Sequence, residues 1–523
     1  MGLRTLVIVA AALALPACGI NPVTGKKELQ LISETQEIQL GQQNYAPTRQ
    51  AEGGDLVVMP EVTAYVNEVG QRLAAVSDRP LPYEFAVLNS SVPNAWALPG
   101  GKIAVNRGLL TELENEAELA AVLGHEIVHA AARHGAKAQE RGTLLQVAML
   151  GAGIGIASSD IDAGLGNLLL GGAGVGAQLV AMRYGREAEL ESDLYGMRYM
   201  QRAGYDPRAA VSLQEKFVRI ANEDGRRQGW LDGLFASHPP ASERVDDNRR
   251  TASGLPAGGE IGAERYAARL ASLRAAEPAY DSYDRALEAA KKKDYAEARR
   301  LAESAASALP REGRFQQLLG DLAMAEKQPQ RAVAHYGKAV ELDPGYFGGH
   351  LGGGVAWYRL GDRANAESWI RRSAELLPTA PAFYYLGSIA KETGRVEEAL
   401  AYYRTAAGSD SEVGRQAAAE FAVIDVPRNP GQYVATGGRL DSQGRVLLVV
   451  QNRAPVALAG IVVSPVLTDE AGRVAREGRA VRIQRALQPG EQLAVDAGVG
   501  ALSQELLPRL RFRVDAAAVA QQR

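Results

Sequence analysis

The stretch His125-Glu126-Ile127-Val128-His129 decides how the first half of this 523-residue chain folds, because it places two imidazoles four residues apart. At about 100° per residue, four steps along an α-helix bring the two side chains to within about 40° of each other. Two imidazoles on one helix face bind a single metal ion, and the Glu beside the first is placed to accept a proton from water on that ion. The motif therefore predicts a helical hydrolytic site with one zinc ion per chain.

The residues around the motif indicate where this helix begins and ends. Asn115 is a typical N-cap, with Glu118 three residues later. Gly135 is predicted to end the helix. His134 is nine residues from His125, which is the wrong spacing for a shared metal ion, and we interpret it as a partner of the helix dipole. An apolar stripe on one face is predicted to be buried, and consists of Leu119, Leu123, Ile127 and Ala130.

A second helical segment, from Arg186 to Gly204, offers the carboxylates that the first lacks. Hydrolytic zinc sites take three protein ligands and leave one position for water. Glu189 and Asp193 are four residues apart and share a helix face. One carboxylate is therefore placed to bind the metal, and the other to hold a ligating imidazole through its free N–H. An ordinary charged face of a solvated helix is the alternative.

The order of these motifs resembles that of the HtpX/Oma-type gluzincin zinc metallopeptidases. The matching residues are His125, His129, Glu189 and Asp193, followed by Ser237-His238-Pro239 and Arg244. The resemblance covers roughly residues 21–250, includes the stretches 21–26 and 94–101, and is strongest to periplasmic members with a tetratricopeptide tail. Gly185 and Ser192 stand where the family usually has Ser and Ala, and neither difference removes a ligand.

The resemblance implies a role for each matching residue. The implied zinc ligands are His125, His129 and Glu189, with Glu126 as general base and Asp193 as the partner of a ligating His. His238 is implied either as an oxyanion stabiliser or as a reversible fourth ligand that closes the site, and Arg244 adds positive charge nearby. A surface His in a Pro-rich turn is the alternative for His238.

A strand-like segment before the metal helix, Lys102–Asn106, is predicted to hold the substrate by β-augmentation. This mode pairs backbone with backbone and makes little demand on the substrate's sequence. The candidate substrate-binding residues are Asn94, Ile103, Ala104 and Val105.

The amino terminus indicates the compartment. Arg4 precedes an apolar run at 6–15 that is too short for a mature membrane span and typical of a secretory signal. Residues 15–18, Leu-Pro-Ala-Cys, resemble a bacterial lipobox, and Cys18 is the only cysteine of the chain. We predict that Cys18 carries a lipid. Gly19, rather than Asp, favours the outer membrane by resemblance to Gram-negative lipoproteins, whereas an uncleaved membrane anchor is the alternative.

The second half of the chain contains a sequence repeat, and after the repeat the residues alternate with a period of two. Pro310, Pro344 and Pro378 are spaced 34 residues apart, which is the tetratricopeptide period. About three and a half repeats are predicted over 279–411, as an α-solenoid that recruits substrate. From about residue 428, alternation such as that of Arg509–Val514 predicts a small antiparallel β-sandwich.

The sequence thus predicts a multidomain protein: a mainly α metallopeptidase domain with a small edge sheet, an α-solenoid and a β-sandwich. The predicted limits are 1–17 for a signal peptide, 18–260, 279–411 and 428–523. A glycine-rich apolar segment, 144–181, is predicted to form a helical hairpin in or over the site.

The predicted function is that of a periplasmic zinc endopeptidase, lipid-anchored to the outer membrane. By resemblance, it degrades or edits unfolded and misassembled outer-membrane proteins and contacts their assembly machinery. A chaperone or assembly scaffold with a latent protease site is the alternative. The net charge of −3 argues against a nucleic-acid partner.

Overall fold

The computed structural model describes residues 18–141, 184–222, 234, 237–239, 241–502 and 506–520. The chain divides into two compact units. The first runs to Asp362 and includes Glu375–Leu377, and the second comprises Arg363–Ala374 and the chain from Pro378 onward. The predicted signal peptide and the glycine-rich segment 144–181 lie outside the described residues.

The first unit opens with a short antiparallel hairpin and two helices. These are β1 (Cys18–Ile20), β2 (Lys27–Leu29), α1 (Glu34–Ala51) and α2 (Pro60–Ala74). A three-stranded sheet follows, formed by β3 (Glu84–Leu88), β4 (Ala95–Leu98) and β5 (Lys102–Asn106). Successive side chains of its strands enter two different apolar clusters, so both faces of the sheet are buried.

The strand order of this sheet corrects one prediction. The order is β3-β5-β4, so β5 is the central strand, parallel to β3 and antiparallel to β4. Its backbone is already paired on both sides, and Ile103, Ala104 and Val105 are fully buried. The prediction that Lys102–Asn106 binds substrate by β-augmentation is therefore wrong. Among the described strands, β4 is the one at the edge of this sheet that faces the metal helix.

The metal-binding motif lies on a fully buried helix. After the short helix α3 (Arg107–Glu112), helix α4 runs from Glu116 to Ala131, and each of its residues is buried. Asn115 caps it by accepting a hydrogen bond from the Glu118 amide, as predicted. The predicted apolar stripe is buried too, but the other faces are equally enclosed. Glycines at Gly124 and Gly196 let the next long helix approach closely, since a Cβ on Gly196 would lie 3.0 Å from the His125 amide nitrogen.

Helix α4 ends earlier than predicted. It stops at Ala131 rather than near Gly135, and Arg133, with φ of 63°, takes a left-handed conformation in the turn that follows. The Arg133 Nε donates to Glu37 Oε2 at 2.8 Å, and this buried ion pair holds Arg133 in the turn. Residues 134–141 are helical again, so Gly135 lies within a helix rather than at the end of one.

A buried carboxylate fixes the other end of the metal-binding helix. Glu116, the first helical residue, accepts hydrogen bonds from the hydroxyls of Tyr65 at 2.7 Å and Tyr205 at 2.9 Å. Arg265 donates to both of its oxygens at 2.5 and 2.6 Å. A negative charge is also favourable at a helix N-terminus. These contacts tie the helix to three distant segments of the first unit.

The second predicted helix and its successors follow. They are α5 (Arg186–Arg202), α6 (Arg208–Asn222), α7 (Ser242–Gly254) and α8 (Ala263–Arg269). Gly204, with φ of 86°, lies just beyond the end of α5, as predicted. Helix α5 packs along α4, and α6 packs against both α4 and α7. This packing brings the two predicted metal-binding helices side by side.

Paired helices occupy the repeat region. In the first unit they are α9 (Ala271–Lys291), α10 (Tyr295–Ala308), α11 (Gly313–Ala325), α12 (Pro329–Leu342) and α13 (Phe347–Leu360). Helix α14 (Arg363–Leu376) follows, and the second unit then contains α15 (Ala380–Glu392), α16 (Val396–Ala407), α17 (Glu412–Asp425) and α18 (Pro430–Tyr433). The periodic alanines Ala298, Ala332 and Ala366 are fully buried, as expected for residues between paired helices.

The second unit ends in two antiparallel sheets around one apolar core. One contains β6 (Val434–Leu440), β7 (Arg445–Asn452) and β11 (Gln492–Ala501). The other contains β8 (Leu458–Thr468), β9 (Val474–Glu477), β10 (Val481–Arg482) and β12 (Leu510–Val519). The predicted fold class is confirmed. Among the helices that the structure describes, none is both long and apolar enough to cross a membrane.

Candidate metal centre

Four side chains from three separate parts of the chain meet in the first unit. His125 and His129 come from α4, Glu189 from the first turn of α5, and His238 from the segment before α7. One potential ligand atom of each lies within 4.8 Å of those of the others. The Nε2 atoms of His125 and His129 are 3.0 Å apart, and Glu189 Oε1 lies 3.3 Å from His129 Nε2. The structure thus brings together the three ligands that the sequence predicted.

A carboxylate orients the first imidazole. Asp193 Oδ1 lies 2.9 Å from His125 Nδ1, which leaves Nε2 directed into the cluster. Arg244 donates to both oxygens of Asp193 at 2.7 Å, and its Nη1 lies 3.0 Å from Glu189 Oε2. Asp193 therefore takes the position predicted for the partner of a ligating His. Arg244 holds two carboxylates in place, so its geometry is that of a positioning residue.

The second imidazole has a partner that the sequence did not reveal. His134 Nδ1 lies 2.9 Å from His129 Nδ1, and its Nε2 lies 3.2 Å from Glu191 Oε1. His134 therefore contacts the face of His129 that points away from the cluster, and our interpretation of it as a dipole partner was incomplete. The ring of Tyr184 stacks on His129 with 4.0 Å between centroids. Neither contact follows from a helical or strand spacing, so neither could be predicted from the sequence.

The predicted general base lies beside the cluster. Glu126 is 2% exposed, and its Oε1 lies 3.5 Å from His238 Nε2. Its second oxygen, Oε2, has no hydrogen-bond partner among the described residues. Burial raises the pKa of Glu126 above its usual value. A carboxylate with one unpartnered oxygen and a raised pKa is suited to taking up a proton.

The charge states of the cluster fit a divalent cation. Burial lowers the pKa of His129 well below its usual value, which keeps that imidazole neutral. Burial alone would raise the pKa of Glu189, but His238 and His125 outweigh it and hold that pKa well below its usual range. Neutral imidazole and ionised carboxylate are the forms that bind metals. Three nitrogens and one carboxylate also form a donor set that zinc accepts.

His238 occupies the remaining side of the cluster. Its Nδ1 lies 3.3 Å from His125 Nε2 and 3.1 Å from Glu189 Oε1, and the residue is 6% exposed. It is therefore not a surface histidine of a turn. Its Nδ1 faces the other ligand atoms, whereas its Nε2 faces Glu126. This arrangement allows His238 to serve as a fourth ligand through its Nδ1.

Comparisons with known proteins agree with this architecture. Residues 60–252 match the model of peptidase family M48, and residues 313–346 and 380–412 match that of the tetratricopeptide repeat. The β-barrel assembly-enhancing protease of Yersinia pestis is 30% identical over 244 residues, which cover 46% of this chain and 48% of the relative. The protein of that name from Escherichia coli K12 is 26% identical over 353 residues, which cover 61% of this chain and 70% of the relative. A mitochondrial metalloendopeptidase of Schizosaccharomyces pombe is 30% identical over 227 residues, which cover 43% of this chain and 63% of the relative.

The chain thus spans about half the length of the Yersinia relative. The matches confirm the resemblance to β-barrel assembly-enhancing proteases that the sequence predicted, in an M48 domain combined with tetratricopeptide repeats. They also confirm the predicted enzyme class, a metallopeptidase, and zinc as its metal.

Proposed function

We propose that this chain is a zinc endopeptidase that cleaves unfolded or misassembled outer-membrane proteins, because residues 60–252 match the model of peptidase family M48. The observation that supports it best is the position of Glu126, whose buried carboxylate lies beside the cluster of His125, His129 and Glu189. A structural zinc site needs no such free carboxylate, whereas a hydrolytic site does.

Each residue of the metal centre has a separate role in the proposed hydrolysis. His125, His129 and Glu189 would hold the zinc ion, which when bound supplies a Lewis acid for water and for the scissile carbonyl. Glu126 accepts the proton of the attacking water and returns it to the leaving amine. Asp193 keeps the His125 imidazole in the correct orientation, and Arg244 pairs with both Asp193 and Glu189 and so holds these carboxylates in place.

The edge strand β4 replaces β5 as the proposed place for the substrate backbone. Ala95, its first residue, lines the same cavity as His125 and Glu126. Asn94 precedes it and carries a buried Oδ1 that accepts no hydrogen bond from the described residues, which makes it a suitable acceptor for a substrate N–H. Backbone pairing demands little of the substrate's sequence, which suits unfolded chains.

The substrate class and the compartment rest on similarity and on the amino terminus. Two of the similar relatives are named for β-barrel assembly, and the tetratricopeptide helices offer a surface for recruiting chains. Signal residues ahead of Cys18 support export to the periplasm and lipid attachment. The other candidate is a chaperone or scaffold with a latent site, which the position of His238 among the ligand atoms favours.

The proposed function is tested on the purified, lipid-free mature chain. We expect close to one zinc ion per chain and cleavage of casein and of urea-unfolded porin, both abolished by a chelator and restored by zinc. Folded porin, whose strands are paired, should resist cleavage. Zinc binding without cleavage of any unfolded protein would contradict the proposal and favour the scaffold.

A separate prediction concerns the anchor. The wild-type protein should fractionate with outer membranes, because a lipid on Cys18 holds it there. Cys18→Ala, placed behind a cleavable secretory signal, should appear in the soluble periplasmic fraction with its protease activity intact. Sedimentation of this variant with the outer membrane would show that something other than the lipid anchors the chain.

A further inference from the structure

The cavity beside Glu126 extends away from the metal ligands. The volume of the whole cavity is about 50 Å³. One end of the cavity is formed by His125, Glu126, His238 and Arg244. Helices α4, α5, α6 and α7 form most of the remaining wall. Most of that wall is apolar, and includes Val122, Met197, Met200, Ala210, Leu213 and Phe217. A substrate side chain next to the scissile bond therefore meets a small, largely apolar space.

Two carboxamides interrupt this apolar wall. Gln214 on α6 and Asn248 on α7 both line the cavity, and they are 8% and 1% exposed. Within the part of the chain that the structure describes, Gln214 Oε1 and Asn248 Nδ2 contact no hydrogen-bond partner, and they do not bond to each other. Buried polar atoms without partners destabilise a fold. Two of them on one cavity wall indicate an occupant that satisfies both.

The chemistry of the two atoms limits what that occupant can be. Gln214 Oε1 accepts a hydrogen bond and Asn248 Nδ2 donates one. A hydroxyl or a carboxamide provides both a donor and an acceptor, whereas an ammonium only donates, a carboxylate only accepts and an alkyl group does neither. A cavity of about 150 Å³ holds benzene, and one water needs about 10–15 Å³. A cavity of about 50 Å³ therefore admits a small side chain and excludes an aromatic ring.

The position of Glu126 identifies the substrate residue concerned. Glu126 returns a proton to the leaving amine, so the residue that supplies this amine lies next to Glu126. The cavity wall includes Glu126. We propose that Gln214 and Asn248 are specificity-determining residues that select Thr, Ser or Asn immediately after the scissile bond. This inference rests on the proposed function.

The test compares two fluorescent tripeptides, which correspond to the amine-side product of cleavage and differ only in beginning with Thr or Val. Thr and Val have nearly the same shape, and Thr carries a hydroxyl where Val carries a methyl. Binding to the full-length zinc-loaded protein is measured by anisotropy. The Thr peptide should bind at least about 10-fold more tightly, since the Val peptide leaves both carboxamides unpartnered. Equal binding, tighter binding of the Val peptide, or no measurable binding of either would overturn the proposal.

Substitutions assign the preference to the two residues. Gln214→Met and Asn248→Leu keep the volume and remove the polar atoms, so each should reduce the Thr preference, and the double variant should prefer Val. Gln201→Met makes the same change on helix α5 at a residue that does not line the cavity, and as the matched control it should keep the wild-type preference. An unchanged preference in both single variants would contradict the assignment.

A thermal measurement separates this role from a structural one. Because neither amide atom has a partner, Gln214→Met and Asn248→Leu should leave the unfolding midpoint unchanged or raise it. A lowered midpoint in both variants would show that the amides stabilise the fold and would overturn the proposal. Peptide binding needs no turnover, so failure of the proposed function appears separately, as absence of chelator-sensitive cleavage by the wild-type protein.

Discussion

Glu126→Gln is expected to lower kcat on casein by about 10²–10⁴-fold while the protein keeps its zinc, which is the usual contribution of a general acid–base residue. The substitution preserves the size of the side chain and removes only its ability to take up a proton. Glu126 lies beside the cluster but is not one of the four side chains whose ligand atoms converge. The measurement pairs steady-state kinetics with zinc content after dialysis.

Glu189→Gln is compared with Glu126→Gln, because loss of a zinc ligand should lower zinc affinity whereas loss of the general base should not. Glu189 is a predicted ligand, and losing a partner that merely orients a ligand already costs about 10–100-fold in metal affinity. We therefore expect Glu189→Gln to lose zinc affinity by more than about 100-fold. Glu187→Gln, on the exposed side of the same helix, is the matched control and should behave as wild type. Equal zinc loss in the Glu126 and Glu189 variants would show that the two roles are wrongly assigned.

Much of the metal centre could be predicted because its signals are local. His125 and His129 share a helix face through their spacing, and so do Glu189 and Asp193. The 34-residue period and the two-residue alternation predicted the repeat helices and the terminal strands in the same way. In each case the period follows from the geometry of a helix, a strand or a pair of neighbouring helices, so it can be recognised in the sequence itself.

The errors and omissions arise from contacts between distant parts of the chain. Helix α4 ends at Ala131 because Arg133 pairs with Glu37, which is 96 residues away in sequence. The order β3-β5-β4 depends on which strand pairs with which, and a pattern that marks a strand does not state its neighbours. His134 is only five residues from His129, but their contact depends on the turn at Arg133, whose side chain pairs with the distant Glu37. These features become visible only when the elements pack.

The contacts of His238 bear on the choice between its two candidate roles. Its Nδ1 lies within 3.3 Å of both His125 Nε2 and Glu189 Oε1. A group that only stabilises an oxyanion would be expected to point at the position of the substrate carbonyl instead. A fourth protein ligand would occupy the coordination position that hydrolysis requires for water. The geometry therefore favours the interpretation of His238 as a reversible ligand that keeps the resting site closed.

His238→Ala is accordingly expected to raise basal cleavage of a loosely folded substrate such as casein. If the closed form accounts for about 90–99% of the resting protein, opening it raises the rate about 10–100-fold, since only the open fraction is competent. Zinc should remain bound, because His125, His129 and Glu189 are unchanged. His335→Ala, which alters a histidine in the repeat region that contacts Gln316, is the control and should have no effect. A fall in kcat of about 10²–10³-fold with zinc retained would instead assign His238 to the oxyanion, because that is the loss expected for one donor.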